Sequence, residues 1–450
     1  MTKFATWCST RWRYEESMDA NQRRELLDEV RQARNCSHPI RISGEFIELS
    51  TGEVLRRGLT VACKDRRRVL CPACSDLYQM DAFIIVASGL YGGKGTSNSV
   101  TDHPRIFATL TAPSFGPVHR INNAGSCHQR PRQLRCPHGQ ILRCTQRHQP
   151  VDSQLGSPLC IQCFQYDDAV TWNAHANRLW NSLVVRIRRE MGAAQGLSRT
   201  ATRNAMRLNY FKVAEFQRRG LIHFHVIIRI DGPGGPDTPP PAWATVELLD
   251  SVVRHCVRHD RLLLDNESEL RWGHQLRITD VSRDVDTRRV ATYLAKYSIK
   301  TTDGSTELAR RFTKYGQILG LPDSHQRTLA LTAWDSGHQR HAHSYGYAGN
   351  LITKSRHYST TFTRIRGERA AFMRPQNTLE TVPGTFLYDG RGYHHPKAKE
   401  LAELFFSMDV ELRREAAERK GTSYTRSRES VSSPLSGAGD PENPQQPQGL

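Results

Sequence analysis

The chain has 450 residues, enough for two or three domains with real cores, and carries 63 Lys and Arg against 45 Asp and Glu, formally +18. No stretch approaches the ~18 apolar residues of a membrane span, and the amino-terminal residues lack a signal-peptide apolar core. The expectation is a cytoplasmic protein with no membrane partner and a polyanionic ligand, its arginines clustering at Arg66-Arg-Arg68, Arg186 to Arg189, Arg218-Arg219 and Arg288-Arg289.

Residues 1–35 are polar, with a helix expected around Asn21 to Ala33. A first cysteine group follows: Cys36, Cys63 and the knuckle Cys71-Pro-Ala-Cys74. An amphipathic helix is expected from about Ser75 to Leu90, then a loop over Gly89 to Gly95; Gly92-Gly-Lys-Gly95 is too short for a Walker-type phosphate loop. Arg105-Ile-Phe-Ala-Thr-Leu-Thr-Ala-Pro113 alternates Phe107, Thr109 and Thr111 against Ala108 and Leu110, a short strand stopped by proline.

The second cysteine group comprises Cys127, Cys136, Cys144 and the knuckle Cys160-Ile-Gln-Cys163, with His128, His138 and His148 interleaved. A CxxC knuckle lets two thiolates share one tetrahedral zinc, and in a reducing compartment cysteines are expected to hold metal rather than pair. The favoured structural-zinc sets are Cys36, Cys63, Cys71 and Cys74, and Cys136, Cys144, Cys160 and Cys163. The second stretch has more ligands than one zinc requires, so its choice stays open. A redox knuckle is the alternative, and arginine-rich loops without a βαβ pattern argue against it. A helix from about Asp167 to Met191 follows, with Trp172, Leu179, Leu183 and Ile187 at helical spacing.

The most informative stretch is Val213-Ala-Glu-Phe-Gln-Arg-Arg-Gly220 leading into Leu221-Ile-His-Phe-His-Val-Ile-Ile-Arg-Ile230. Side chains alternate across a strand, so His223, His225 and Arg229 share the face opposite Ile222, Phe224, Val226, Ile228 and Ile230. A three-residue loop Arg218-Arg219-Gly220, with glycine left-handed, makes a hairpin and sets Glu215 opposite His223. Glu215, His223 and His225 then lie on one face with cross-strand Cβ atoms roughly 5 Å apart. A carboxylate and two imidazoles form a mixed O/N site with open positions, suited to Mg²⁺ or Mn²⁺ bridging a phosphate. The plainer alternative is two partly exposed histidines beside a solvated glutamate.

Asp231 to Pro241 is a Gly/Pro loop, followed by a helix from about Val246 to His259 and a strand near Leu270–Val281. Val290 to Lys300 reads as helix with Asp286 or Thr287 as N-cap, and Tyr293, Lys296, Tyr297 and Lys300 fall on one stripe. An ordinary amphipathic helix would use these residues for packing and snorkelling. A tyrosine transesterase would use the phenols as nucleophiles on a phosphodiester and the ammonium groups for its charge. Arg340 to Arg366 is rich in His, Arg, Lys and Tyr, either a DNA-contacting segment or a solvated basic surface.

Taken in order, the Phe107 strand, the His-Phe-His strand and the Tyr293-Leu-Ala-Lys-Tyr297 helix resemble the HUH endonuclease superfamily with paired tyrosines. Phe107 to His119, Cys136-Pro-His-Gly139, Trp172-Asn-Ala-His175, Pro241-Ala-Trp-Ala244 and Thr353 to Ser359 are similar to the RepSA-like replication initiators of actinomycete plasmids and integrative conjugative elements. The similarity covers roughly residues 30–370. It implies a rolling-circle initiator that nicks one origin strand, forms a 5′-phosphotyrosine link and later rejoins the strand. Tyr293 and Tyr297 are then the catalytic tyrosines, their order open, with Lys296 as helper because the superfamily's helix carries lysine at that offset. Implied partners are double- and single-stranded origin DNA, a host helicase and a host DNA polymerase.

The expected fold is α+β, an HUH-like antiparallel sheet with flanking helices plus cysteine-rich zinc elements. The expected divisions are an N-terminal region to residue 95, a nuclease domain over 96–310 with a zinc insertion at about 120–165, a basic region over 311–415, and a disordered tail over 416–450. Rival readings are a conjugative relaxase, a two-tyrosine transposase, or a non-enzymatic zinc-dependent DNA-binding regulator.

Overall fold

The structure is a computed structural model and describes residues 19–48, 50–122, 125–128, 135–265, 268–281, 284–299, 310–372 and 381–419. In chain order the longer elements are α1 (Ala20–Gln32), β1 (Ile40–Glu48), β2 (Val54–Val61), α2 (Pro72–Tyr91), β3 (Arg105–Leu110), α3 (Tyr166–Ala193), α4 (Arg199–Ala205), β4 (Arg207–Phe216), β5 (Ile222–Asp231), α5 (Val246–His259), β6 (Arg261–Leu263), β7 (Glu269–Arg271), β8 (Leu276–Asp280), α6 (Asp284–Tyr297), α7 (Tyr315–Leu319), α8 (His325–Asp335), β9 (Ile352–Lys354), α9 (Phe362–Phe372), β10 (Thr381–Arg391) and α10 (Ala398–Arg419). This is a mixture of helices and antiparallel sheets, and no described helix is long and apolar enough to cross a membrane.

The described residues fall into two compact units, one made of those within 19–78 and 370–419, the other of those within 79–369. These divisions differ from those read from composition: residues 310–369 belong with the second unit, and β10 and α10 belong with the amino-terminal one. Most of the presumed tail, from 420 onward, lies outside the described residues.

In the first unit a three-stranded sheet runs in the order β10-β1-β2. Helix α1 starts at a capping box, Asp19 accepting from the backbone of Asn21 and Gln22 at 2.8 Å while Gln22 reaches back to Asp19. Its Leu26 and Val30 pack on Ala398, Leu401 and Ala402 of α10, a small core.

The second unit is built on a five-stranded antiparallel sheet in the order β8-β3-β5-β4-β9. Strand β5 is central and buried on both sides, which explains why its apolar run is nearly unbroken. One face, with Ile222, Phe224, Val226, Ile228 and Ile230, packs on α3 and α5. The histidine face is covered too: Phe107, Phe211, Val213 and Ile227 pack with Ile85, Val86 and Leu90 of α2 and with Val290, Ala291 and Leu294 of α6.

Several local expectations are corrected. Gly89 is helical rather than looped; the Tyr358 ring lies where its Cβ would stand, so only glycine fits. The single strand near Leu270–Val281 is two: β7 pairs with β6, and β8 pairs with β3, with Gly273 between them against the Ala112 backbone. Helix α6 begins at Asp284, so Asp286 and Thr287 lie inside it and neither is its N-cap. Within Arg340 to Arg366, β9 pairs with β4, and Tyr345, Tyr347 and Tyr358 are buried; much of that segment is structural.

The hairpin between β4 and β5 has Gly220 at φ +78° and pairs Glu215 with His223 and Phe216 with Ile222. Asn173 of α3 fastens its tip, donating to the carbonyls of Gly220 (2.9 Å) and Tyr345 (3.1 Å) and accepting from the Ile222 amide (3.0 Å). Burying an amide side chain this way costs little because it is satisfied on both ends.

Candidate functional site

Three adjacent strands and one helix build the site. Glu215 comes from β4 and His223 and His225 from β5; Glu215 Oε2 lies 2.8 Å from His223 Nε2 and 2.9 Å from His225 Nε2. The three ligand atoms lie within 4.8 Å of one another. Glu215 and His225 are buried, and His223 is half-buried. Burial alone would raise the Glu215 carboxyl, but hydrogen bonds from the two histidines outweigh it and hold the group well below the usual carboxylate range. An anionic oxygen and two imidazole nitrogens converging on one point are a donor set that fits a divalent cation with coordination positions to spare.

Strand β3 adds two side chains whose role the sequence did not single out. It pairs with β5 so that Thr109 faces His225 and Phe107 faces Ile227. Thr109 Oγ1 is 3.1 Å from His225 Nδ1, and the Phe107 ring is stacked beside the His225 ring, centroids 6.0 Å apart. These partners set the orientation of His225.

Helix α6 brings both tyrosines to the same place. Tyr293 Oη is 3.4 Å from His225 Nε2, and the Tyr293 and Tyr297 rings lie 5.1 and 5.2 Å from the His225 ring. The two phenol rings are 4.4 Å apart, and Phe107 meets Tyr293 edge-on at 5.8 Å. Burial raises both phenols, helped by the negative charge of Glu215, and Tyr297 is pushed up to about 12. Arg277, exposed on β8 opposite Thr109, opposes that shift at Tyr293. It is a cation beside the phenols that local sequence gave no reason to choose.

Lys296 is half-buried in the last turn of α6, one helical step from Tyr293. Lys300 lies outside the described residues. Arg229, on the histidine face by alternation, is drawn away from the trio: it is buried and paired with Asp231 at 2.6 Å, and it donates to the carbonyls of Gly89 and Tyr358. Its role is to hold the far end of the sheet.

The cysteines sort into closed groups. Cys36, Cys63, Cys71 and Cys74 converge, with Sγ–Sγ separations of 3.7 Å (Cys36–Cys71) and 3.6 Å (Cys63–Cys74). Those match the edge of a tetrahedron with zinc–sulfur bonds of about 2.3 Å, whose edge is about 3.8 Å. Four thiols this close cannot all ionise without a cation between them. The second set differs from the favoured one. Cys136, Cys160 and Cys163 are joined by His138, whose Nδ1 is 3.2 Å from Cys163 Sγ, whereas Cys144 sits with His119, Cys127 and His148. The favoured set groups Cys144 with the Cys160–Cys163 knuckle, in a stretch holding more ligands than one zinc requires, but the loop's hydrogen bonds pair Cys144 with His128 and carry its thiol elsewhere.

Comparisons with known proteins converge on one family. Residues 22–406 match the family model described as RepSA, replication initiator protein, pSAM2. A replication initiator protein of Streptomyces ambofaciens is 34% identical over 439 residues, covering 87% of this chain and 91% of that protein. No solved structure matches the chain significantly. With the match spanning both compact units, the chain belongs to the RepSA family of replication initiator proteins.

Proposed function

We propose that this protein starts rolling-circle replication by nicking one strand of an origin through tyrosine transesterification. The observation that carries the reading is the 3.4 Å approach of Tyr293 Oη to His225 Nε2, the atom that also faces Glu215 at 2.9 Å. A nucleophile beside a trio of metal donors is the arrangement an HUH-type nuclease requires, and the antiparallel sheet with its central histidine strand supports that fold. Membership of an initiator family favours this over a relaxase, a transposase or a non-catalytic regulator.

Glu215, His223 and His225 hold Mg²⁺ or Mn²⁺. Bound there, the ion supplies Lewis-acid polarisation of the scissile phosphate and stabilises charge in its pentacovalent state. The Tyr293 phenol oxygen, its proton released to solvent, forms a bond to phosphorus. The bond from phosphorus to the 3′ oxygen breaks, and that oxygen takes a proton from solvent. The products are a 5′-phosphotyrosine and a free 3′-hydroxyl that primes a host polymerase, while a host helicase opens the duplex. One phosphodiester is exchanged for another, so the reverse reaction rejoins the strand. Tyr297 is placed for the second transfer, and Lys296 and Arg277 offer positive charge to the phosphate. Basic side chains elsewhere bind duplex origin DNA through its phosphates. Zinc in the Cys36/Cys63/Cys71/Cys74 and Cys136/His138/Cys160/Cys163 groups is structural.

The test is incubation with single-stranded origin DNA and Mn²⁺ followed by a denaturing gel. A downstream fragment linked to the protein through its 5′ phosphate is expected, lost in Tyr293→Phe or moved to Tyr297, and lost in the double variant Tyr293→Phe, Tyr297→Phe. A double variant that still forms adducts would remove the tyrosines from the chemistry.

A further inference from the structure

His119, Cys127, Cys144 and His148 converge so that their ligand atoms all lie within 4.8 Å of one another. Cys127, Cys144 and His148 are buried. Backbone hydrogen bonds hold the contributing segments together: Cys127 N to Gln146 O at 2.8 Å, His128 N to Cys144 O at 3.0 Å, and His119 N to Ser157 O at 2.8 Å.

The orientation of His148 points to a ligand. Its Nδ1 meets Asp152 Oδ2 at 2.5 Å, so the proton of the neutral ring belongs there, donated to the carboxylate. Nε2 is then a lone pair, and it points at His119 Nδ1 (3.0 Å) and Cys144 Sγ (3.4 Å). Tetrahedral zinc with bonds of about 2.0 Å to nitrogen and 2.3 Å to sulfur needs edges of about 3.3 and 3.5 Å. A carboxylate behind a histidine whose other nitrogen faces further donors is the usual outer support of a metal-bound imidazole.

We propose that His119, Cys127, Cys144 and His148 bind a third zinc ion, with Asp152 orienting His148. Four protein donors leave no open position, so the ion is structural. Its position gives it a task. The turn after His148 lies against the tip of the Glu215–His223 hairpin: Arg218 donates to Asp152 O at 3.2 Å and to Pro150 O. Gly156, at φ +85°, has no room for a Cβ against the Arg218 backbone. The neighbouring Arg219 donates to Pro113 O (2.8 Å) and Ala112 O (3.0 Å), just beyond β3. The ion thus braces the turn that sets Glu215 opposite His223. This site does not depend on the proposed cleavage chemistry.

The experiment is zinc per full-length chain by mass spectrometry after dialysis into metal-free buffer, for the wild type, Cys144→Ser and, as an independent reference, Cys63→Ser. Three ions in the wild type are expected, with one fewer in each variant. X-ray absorption on the wild type serves where a variant fails to fold. Its zinc shell should average nine sulfurs to three nitrogens, the content of the three four-residue groups. Two ions in the wild type, with seven sulfurs to one nitrogen, or a Cys144→Ser chain with undiminished zinc, would overturn the third site and leave the other two. A chain without zinc would overturn all three, while the adduct gel would still judge the tyrosines separately.

Discussion

Thr109 Oγ1 meets His225 Nδ1 at 3.1 Å, joining strands whose residues are 116 apart in the chain. With an ion held between Glu215 and the histidines, a proton on Nδ1 donated to this hydroxyl would leave the Nε2 lone pair, which faces Glu215 here, for the ion, and the contact fixes the ring's rotation. Thr109→Val keeps the shape and removes the hydroxyl. It should raise the Mn²⁺ concentration for half-maximal nicking by roughly tenfold, with Thr109→Ser near wild type. Calorimetric titration with Mn²⁺ reads the same change without DNA, and an unaltered affinity in the valine variant would rule Thr109 out as a positioning residue.

Arg277 is the charge that pulls the Tyr293 phenol down against its burial. Arg277→Gln should slow adduct formation on single-stranded DNA about tenfold, equivalent to about 1.4 kcal/mol of lost charge stabilisation. Arg277→Lys should recover part of the rate. Single-turnover kinetics at saturating DNA separate this from weaker binding, and an unchanged rate constant would place Arg277 outside the reacting region.

Lys212, 1% exposed, is buried in the core with its ammonium 2.7 Å from Asn177 Oδ1 and 3.8 Å from the Phe224 ring centre. Burial pulls its pKa down to about 7. The unfolded chain therefore binds more protons between about 7 and the ordinary lysine value, so this group's contribution to stability rises with pH across that window. Lys212→Met removes the penalty; Asn177 Oδ1 still accepts from Tyr347 at 3.3 Å. Below pH 7 the variant should be more stable by on the order of 2 kcal/mol, and its advantage should shrink toward pH 10. Parallel melts of both proteins across pH check this, and a constant difference would contradict it.

The amino-terminal unit has a small apolar core, Leu26, Val30, Ala398, Leu401 and Ala402, beside the Cys36, Cys63, Cys71 and Cys74 group. Small cores of this kind depend on staples. Cys63→Ser, or removal of zinc by a strong chelator, should destabilise this unit by several kcal/mol. Limited proteolysis should then cut within residues 19–78 first, and resistance equal to wild type would show that the thiols carry no fold-supporting ion.

Local signals were read well where a turn sets geometry. Arg218-Arg219-Gly220 admits one hairpin register, and Glu215 lies opposite His223 as that register requires. The Tyr293–Tyr297 stripe was equally plain from helical spacing, although its approach to His225 was not. What could not be read depends on distant pairing. The partnership of β3 with β5, the arrival of Ile352–Lys354 as an edge strand, and the cover over the histidine face all arise from packing that leaves no periodic trace. Cys144 was misplaced for the same reason: thiol spacing limits which knuckles exist, while the fold of the intervening loop decides which thiols meet.

Because Thr109, Glu215, His223 and His225 stand on three neighbouring strands, their mutual geometry is complete as soon as the sheet forms. The phenols arrive by a different route, on a single 14-residue helix. Changing how many hydroxyls face the trio is therefore a matter of editing one helical surface, whereas relocating the trio would mean rebuilding the middle of the five-stranded sheet.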